Sequence, residues 1–382
     1  MKIMLSAGEA SGDLNASALA DWLKKLAPES ELFGMGGPKM AAQGVRILKD
    51  PTGQSVIGFS EALKALPKMR KLLGQMEAAL QEERPDCLVA VDFPGFNMKL
   101  ARIAHSLGVP VVFYFAPSAW AWGKGRARQV AQTAKLVLCV FPMEEQVYKE
   151  AGAPVRYIGH PLAEIVKAQP NPRQILGIGP ETRLVALLPG SRPGEVRTLL
   201  AELLSAAQLV HAEMPDVQFI LSHASSIPLD VLEQQASSLA LPVRILSGNT
   251  YELLAAADAA VIASGTATLE AALLGTPMVI VYRTSRVTWF LGKLLLKISF
   301  IGLPNILAGK RLVPELLQNQ ANGKSIAREV TKLLRSDNSA LRRELNSLKE
   351  KLGQGGAARR AAEEIIALVK GGGKSAHSAD SQ

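Results

Sequence analysis

ASGTATLEAALLGTPMVIVYR, residues 263–283, reads as the end of a strand, a Ser-Gly-Thr turn, a short helix and a second strand. Met278–Tyr282 is apolar without interruption, the pattern of a strand covered on both faces in a parallel sheet. Gly265 allows the tight turn. A strand that turns straight into a helix leaves the first helical N–H groups pointing outward, here beside the hydroxyls of Ser264, Thr266 and Thr268. Such a terminus favours phosphate. Glu270 follows within the first turns, where a carboxylate can accept hydrogen bonds from the paired hydroxyls of a sugar. Phosphate donors beside a hydroxyl-binding acid form the pattern of a nucleotide-sugar site.

The same strand-and-helix alternation runs outward in both directions. After this stretch the chain is helical, with Leu341, Leu345, Leu348 and Leu352 on one face and a second helix over Ala357–Lys370. Before it, strands are expected at Leu184–Leu188, Val217–Ser222, Val243–Leu246 and Ala259–Ile262. Residues 167–183, KAQPNPRQILGIGPETR, carry prolines and glycines without a core pattern and read as a linker. Upstream, strands are expected at Lys2–Ser6, Cys87–Val91, Val109–Tyr114, Val137–Val140 and Val155–Ile158, with helices over Asp13–Leu26 and Phe96–His105. The expected architecture is α/β, with two Rossmann-like doubly wound domains facing a cleft. The boundaries are an N-terminal domain over 1–166, the linker 167–183, a C-terminal domain over 184–340, helices over 341–370 and a disordered tail over 371–382.

Composition narrows the function classes. With 382 residues, two domains are the default. The balance of 43 basic against 34 acidic residues leaves +9, which suits an anionic partner. Nucleic acid is disfavoured, because aromatics are few and do not alternate with the basic residues. Cys87 and Cys139 lie in apolar strands and read as small buried hydrophobes, so neither a disulfide framework nor a metal site is expected. No apolar run approaches the roughly 20 residues of a spanning helix, and Glu9 and Asp13 come too early for a signal peptide. The expectation is a cytoplasmic protein, soluble or attached to a membrane surface.

Four further loops carry chemistry. LLPGSRPGEV, Leu187–Val196, ends a strand and opens a helix, with Ser191 as a candidate cap and Arg192 as a candidate diphosphate ligand. A plain capped helix with a solvated arginine is the alternative, and the pairing with residues 263–283 favours phosphate. SAGEASGD, Ser6–Asp13, is too acidic for phosphate; Glu9 suits carbohydrate or proton transfer, and Asp13 reads as the cap of its own helix. In VDFPGFN, Val91–Asn97, Asp92 stands at a strand's carboxyl end and could act as general base, while Asn97 reads as a cap. APSAWAW, Ala116–Trp122, offers Trp120 and Trp122 for stacking on a sugar or acyl chain, or for packing under the loop. His160 closes the last strand of the first half. Two apolar-basic segments, Ile57–Met76 and Val287–Leu303, read either as core helices or as elements that insert into an anionic bilayer.

Taken together, SAGEASGD, VIGFSEAL, DFPGFN, PSAWAW, IGHPL, LLPGSRPGEV, ASGTATLE and LPNILAGKRLVPELLQ resemble the lipid-A-disaccharide synthase family over nearly the whole chain. GEASGD with PSAWAW is the specific part; ASGTATLE is shared loosely with other glycosyltransferases. The resemblance implies an inverting enzyme of the two-domain GT-B type. It would join UDP-2,3-diacylglucosamine to 2,3-diacylglucosamine 1-phosphate (lipid X) through a β-1,6 bond and release UDP. It implies Asp92 as the essential acid, Glu9 in the acceptor-side loop, Arg192 beside the UDP phosphates, Glu270 at the ribose and Asn305 in the active-site region. Ser11, Trp120, Trp122 and His160 go with the acceptor side, and Ser191, Ser264, Gly265, Thr266 and Thr268 with UDP. Relatives often carry a second aspartate where this chain has Gly95, which leaves Asp92 as the essential carboxylate.

The absence of an Asp-x-Asp pair leads to the expectation of no metal and no cofactor. Peripheral attachment to the cytoplasmic face of the inner membrane is expected, and the C-terminal helices are compatible with a homodimer. The alternatives are another UDP-N-acetylglucosamine-using glycosyltransferase or epimerase, and a non-catalytic protein of anionic membranes.

Overall fold

The computed structural model describes residues 1–51, 59–119, 124–237, 241–285, 289–290, 299–353 and 355–372. Trp120, Trp122, the tail 373–382, the first half of the segment Ile57–Met76 and most of Val287–Leu303 fall wholly or in their side chains outside these residues. The chain forms two compact units. One comprises Met1–Pro161 and the C-terminal segment that begins at Leu352; the other holds the described residues between Leu162 and Lys351.

Among the described residues, the first unit carries a seven-stranded parallel sheet. Its strands are β1 (Lys2–Ala7), β2 (Glu31–Met35), β3 (Arg46–Lys49), β4 (Cys87–Val91), β5 (Val111–Tyr114), β6 (Ala134–Cys139) and β7 (Val155–Tyr157). Their order is β3-β2-β1-β4-β5-β6-β7. The second unit carries β8 (Leu184–Leu188), β9 (Gln218–His223), β10 (Val243–Ser247), β11 (Ala259–Ala263), β12 (Met278–Tyr282) and β13 (Glu315–Leu317). Here the order is β10-β9-β8-β11-β12-β13, again parallel. The central strands β4, β8 and β11 are buried at every position, because crossover helices cover both faces.

Three strands go beyond the sequence expectation: β2, β3 and β13. β3 and β13 are short edge strands with little burial. β2 is interrupted by Gly34, whose φ of +143° and whose approach to the Leu5 carbonyl exclude any side chain; an added Cβ would lie 2.0 Å from that oxygen. Residues 167–183 are held against the second unit. There Arg173 donates to the Ala256 carbonyl at 2.9 Å and meets Asp258 at 3.5 Å.

The two C-terminal helices belong to different units. Helix Ser339–Lys351 buries Leu345 and Leu348 in the second. Helix Ala357–Gly372 returns to the first and packs on helix Ala10–Leu26. Ala357, Ala361, Ala362 and Ile365 of this helix and Ala16, Leu19, Ala20 and Leu23 of the other are buried, and the alanines permit close approach of the two backbones. Arg359 lies over the Trp22 ring at 5.7 Å, and Arg360 donates to the Ile158 carbonyl. No described helix is long and apolar enough to cross a membrane.

Candidate active site

In an open parallel sheet, ligands bind outside the carboxyl ends of the strands where the strand order reverses direction. In the first unit that point lies between β1 and β4; in the second it lies between β8 and β11. The loops after these four strands are Ser6–Asp13, Val91–Asn97, Leu188–Val196 and Ala263–Glu270. They are the loops singled out by their chemistry, so each sheet brings two of them to its switch point.

In the first unit, Glu9 is the backbone N-cap of helix Ala10–Leu26, half-buried, with Ser11 exposed in the first turn. Asp13 is buried and does not cap its own helix, contrary to expectation. Its Oδ1 accepts from the Gly37 and Met40 amides at 2.9 and 3.0 Å, and its Oδ2 accepts from the Lys39 amide at 3.0 Å. It therefore caps helix Pro38–Ala42, which starts beyond β2.

Asp92 follows β4 with φ +50°, and Phe93 follows with φ +51°. Two adjacent left-handed non-glycine residues form a strained turn. The Phe93 ring fills the space in front of Gly8, where an added Cβ would come 2.1 Å from Cδ1. The loops carrying Glu9 and Asp92 are thus in contact. Asn97 is not a cap either: it sits inside helix Pro94–Ser106, fully buried, and its amide bonds Ser6, Val91 and Asp92. A Cβ at Gly95 would meet nothing within 4 Å.

His160 lies between Phe115 and Phe141, at ring-centroid distances of 5.4 and 4.9 Å, and its backbone N–H donates to Leu352. Burial pushes its pKa down to about 3, so the imidazole is neutral. Pro117, at the start of the tryptophan loop, accepts from the buried Tyr148 hydroxyl at 2.6 Å.

In the second unit, Arg192 rather than Ser191 is the N-cap of helix Pro193–Glu213, and it makes no side-chain cap bond. The Ser191 carbonyl accepts from the Ser226 hydroxyl instead. Arg192 Nη1 lies 3.3 Å from Glu195 Oε1. Glu195 also occupies the space beside Gly190, whose φ is +112° and whose added Cβ would lie 2.5 Å from Oε2. Glu195 was not among the sequence candidates; its i,i+3 spacing from Arg192 was the available signal.

Ser264 directly follows β11, and its hydroxyl donates to the Ile301 carbonyl at 3.3 Å. Helix Thr266–Leu273 follows Gly265. Thr268 is fully buried and turns its hydroxyl back to the Gly265 carbonyl at 2.7 Å, so it shapes the turn rather than facing outward. Glu270 is half-buried; burial raises its pKa, and the Tyr251 hydroxyl reaches it at 3.5 Å. Asn305 spends its amide internally. Its Nδ2 donates to the Val313 carbonyl and to Glu315, and its Oδ1 accepts from the Leu312 and Val313 amides. Glu315 in turn accepts from the Ile301 and Gly302 amides at 3.0 Å each, fixing the segment that the Ser264 hydroxyl bonds.

A family model described as lipid-A-disaccharide synthetase matches residues 3–369. The lipid-A-disaccharide synthase of Myxococcus xanthus is 40% identical over 379 residues, covering 97% of this chain and 98% of the relative. Among solved structures, the UDP-GlcNAc 2-epimerase of Neisseria meningitidis bound to UDP-GlcNAc superposes with a TM-score of 0.69 at 13% identity, over 96% of this chain and 100% of that one. Acinetobacter baumannii MurG superposes with a TM-score of 0.58 at 16% identity, over 96% and 99%. At such identities these two show the fold alone, which is GT-B-like. The match over nearly the whole chain shows more: this chain belongs to the lipid-A-disaccharide synthase family and is a glycosyltransferase of lipid A biosynthesis.

Proposed function

We propose that the enzyme joins UDP-2,3-diacylglucosamine to lipid X through a β-1,6 bond, with inversion, and releases UDP. The second unit's switch point takes the UDP moiety. The amides at the start of helix Thr266–Leu273 and the Arg192 guanidinium stabilise the diphosphate as it gains charge on leaving. Glu270 accepts hydrogen bonds from the ribose. The first unit's switch point takes the acceptor: Asp92 removes the proton of the attacking 6-hydroxyl while Glu9 and Ser11 line the same mouth. The single observation that carries this reading is the convergence of these loops on the switch point of each sheet.

Neither a metal nor a cofactor is needed in this scheme, since the arginine and the helix terminus supply the positive charge. Peripheral attachment to the cytoplasmic face of the inner membrane accompanies it. The exposure of Phe290 (69%), next to Trp289, supports this attachment, as does the +9 balance. Trp120 and Trp122 remain candidates for the acceptor's acyl chains.

UDP release from acylated donor, with and without lipid X, tests the scheme. Asp92→Asn should abolish turnover while UDP still binds; near-normal turnover excludes the base. Release from UDP-N-acetylglucosamine in place of the acylated donor excludes the substrate.

A further inference from the structure

We propose that Asn97, oriented by Ser6, is a positioning residue that holds the Asp92 carboxylate in register for proton transfer. The proposal rests on the reading of Asp92 as the base. Asn97 and Ser6 are both completely buried. Ser6 lies near the end of β1, where Ala7 pairs with Val91 of β4, so the Ser6–Asn97 contact sits between the strands of the switch point. The Ser6 hydroxyl donates to Asn97 Oδ1 at 2.6 Å. The three backbone carbonyls around the other end of the amide, which can only accept, fix which end is oxygen. Nδ2 then donates toward the carbonyls of Asp92 at 2.7 Å, Ser6 at 3.0 Å and Val91 at 3.2 Å.

The shortest of these bonds goes to Asp92, which needs it most. The turn Asp92–Phe93 has two consecutive left-handed residues, a conformation that non-glycine backbone holds only when its surroundings over-determine it. The Asp92 amide donates to the Tyr114 carbonyl at 3.1 Å, and Asn97 holds the carbonyl on the other side of the same residue. Both peptide groups of Asp92 are thereby pinned, and the direction of the Cα–Cβ bond is set by the backbone. Phe93 transmits the same constraint to Gly8, one residue before Glu9. Without Asn97, three carbonyls and the Ser6 hydroxyl lose a partner in a buried place, and the turn can relax toward ordinary backbone.

The test uses the full chain, with UDP release from acylated donor and lipid X as the assay. Ser6→Ala removes only the hydroxyl that bonds Asn97 Oδ1 and steadies the amide. Asn97→Asp keeps the shape and removes the N–H donors. For Ser6→Ala the expected result is a kcat about tenfold lower, with KM for both substrates within about twofold and a shifted acid limb of the pH–rate profile. For Asn97→Asp the loss in kcat is about a hundredfold. Circular dichroism and UDP affinity, read on the second unit, should stay at wild-type values. A merely structural role would lower the rate only through the active fraction, leaving kcat per folded enzyme and the pH profile unmoved, and that result overturns the proposal. Wild-type kcat in both folded variants also overturns it. If Asn97→Asp does not fold, Ser6→Ala decides alone. Turnover surviving in Asp92→Asn removes the base reading itself, whereas a dead Asp92→Asn with unaffected Ser6 and Asn97 variants removes only the positioning role.

Discussion

Arg192 Nη1 stands 3.3 Å from Glu195 Oε1, one turn into the helix that leaves β8. The residue proposed to hold a diphosphate is thus already engaged by a carboxylate on its own helix. On the proposed diphosphate role of Arg192, that carboxylate would also repel the phosphate. The arginine and glutamate side chains are 44% and 17% exposed, so solvent screens the pair and its coupling falls in the range of about 0.2–1 kcal/mol.

Glu195→Gln should therefore tighten UDP binding about two- to fivefold, with the gain largest at low ionic strength. Isothermal titration at two salt concentrations measures it. Weaker binding would mean that Glu195 orients the guanidinium instead of competing for it.

Glu270→Gln separates binding from stability. A charged acceptor on the ribose is worth about 1.5–3 kcal/mol, so UDP affinity should fall about 10- to 100-fold. Because burial raises the Glu270 pKa, its folded value lies above the unfolded one, and the native state loses stability as pH rises through that window. The glutamine variant lacks this loss. Its urea midpoint near neutral pH should equal or exceed that of the wild type; a lower midpoint together with unchanged affinity would assign Glu270 to structure.

His160 works in the opposite direction. Its pKa is about 3 folded, against 6.5 for an ordinary histidine, so only the unfolded chain takes up a proton as pH falls below 6.5. Stability is complete above that value and is lost progressively down to about 3. Between neutral and about pH 5 the first unit should lose about 2 kcal/mol through this group. Urea unfolding of His160→Gln should show a slope against pH reduced by that amount. Equal slopes would mean that the imidazole takes up a proton in the native state as readily as in the unfolded chain.

Asp13→Ala should cost about 1–3 kcal/mol, because three amides at the start of helix Pro38–Ala42 lose their acceptor in a buried place. The transition of the first unit is the one to follow, since two units need not unfold together. A loss confined to catalysis, with unchanged unfolding, would instead put Asp13 in the site.

Much of the fold is legible along the chain. β8 and β12 begin and end where the apolar runs Leu184–Leu188 and Met278–Tyr282 do, because a strand buried on both faces admits no polar residue until it emerges. β2, β3 and β13 escape for the converse reason: Gly34 breaks the first, and the other two are short edges that need little apolar surface. The site loops are legible too, as Gly-rich strand-to-helix turns with acids, hydroxyls and an arginine. Their side-chain partners are not. Asp13 and Asn97 both look like caps, since a short polar side chain next to a helix start usually serves its own backbone. In the folded chain their partners lie 24–27 and up to 91 positions away.

What the sequence determined by itself is the alternation of strands and helices, the chemistry of the loops and the family. These depend on local periodicity and on motifs, both written in consecutive residues. The tertiary structure decided the strand order, and with it which loops share a switch point. It also decided that Asp13 caps a distant helix, that Asn97 braces Asp92, and that the last helix closes the first unit. Each of these is a contact between residues far apart in the chain, whose geometry exists only once the sheets have formed.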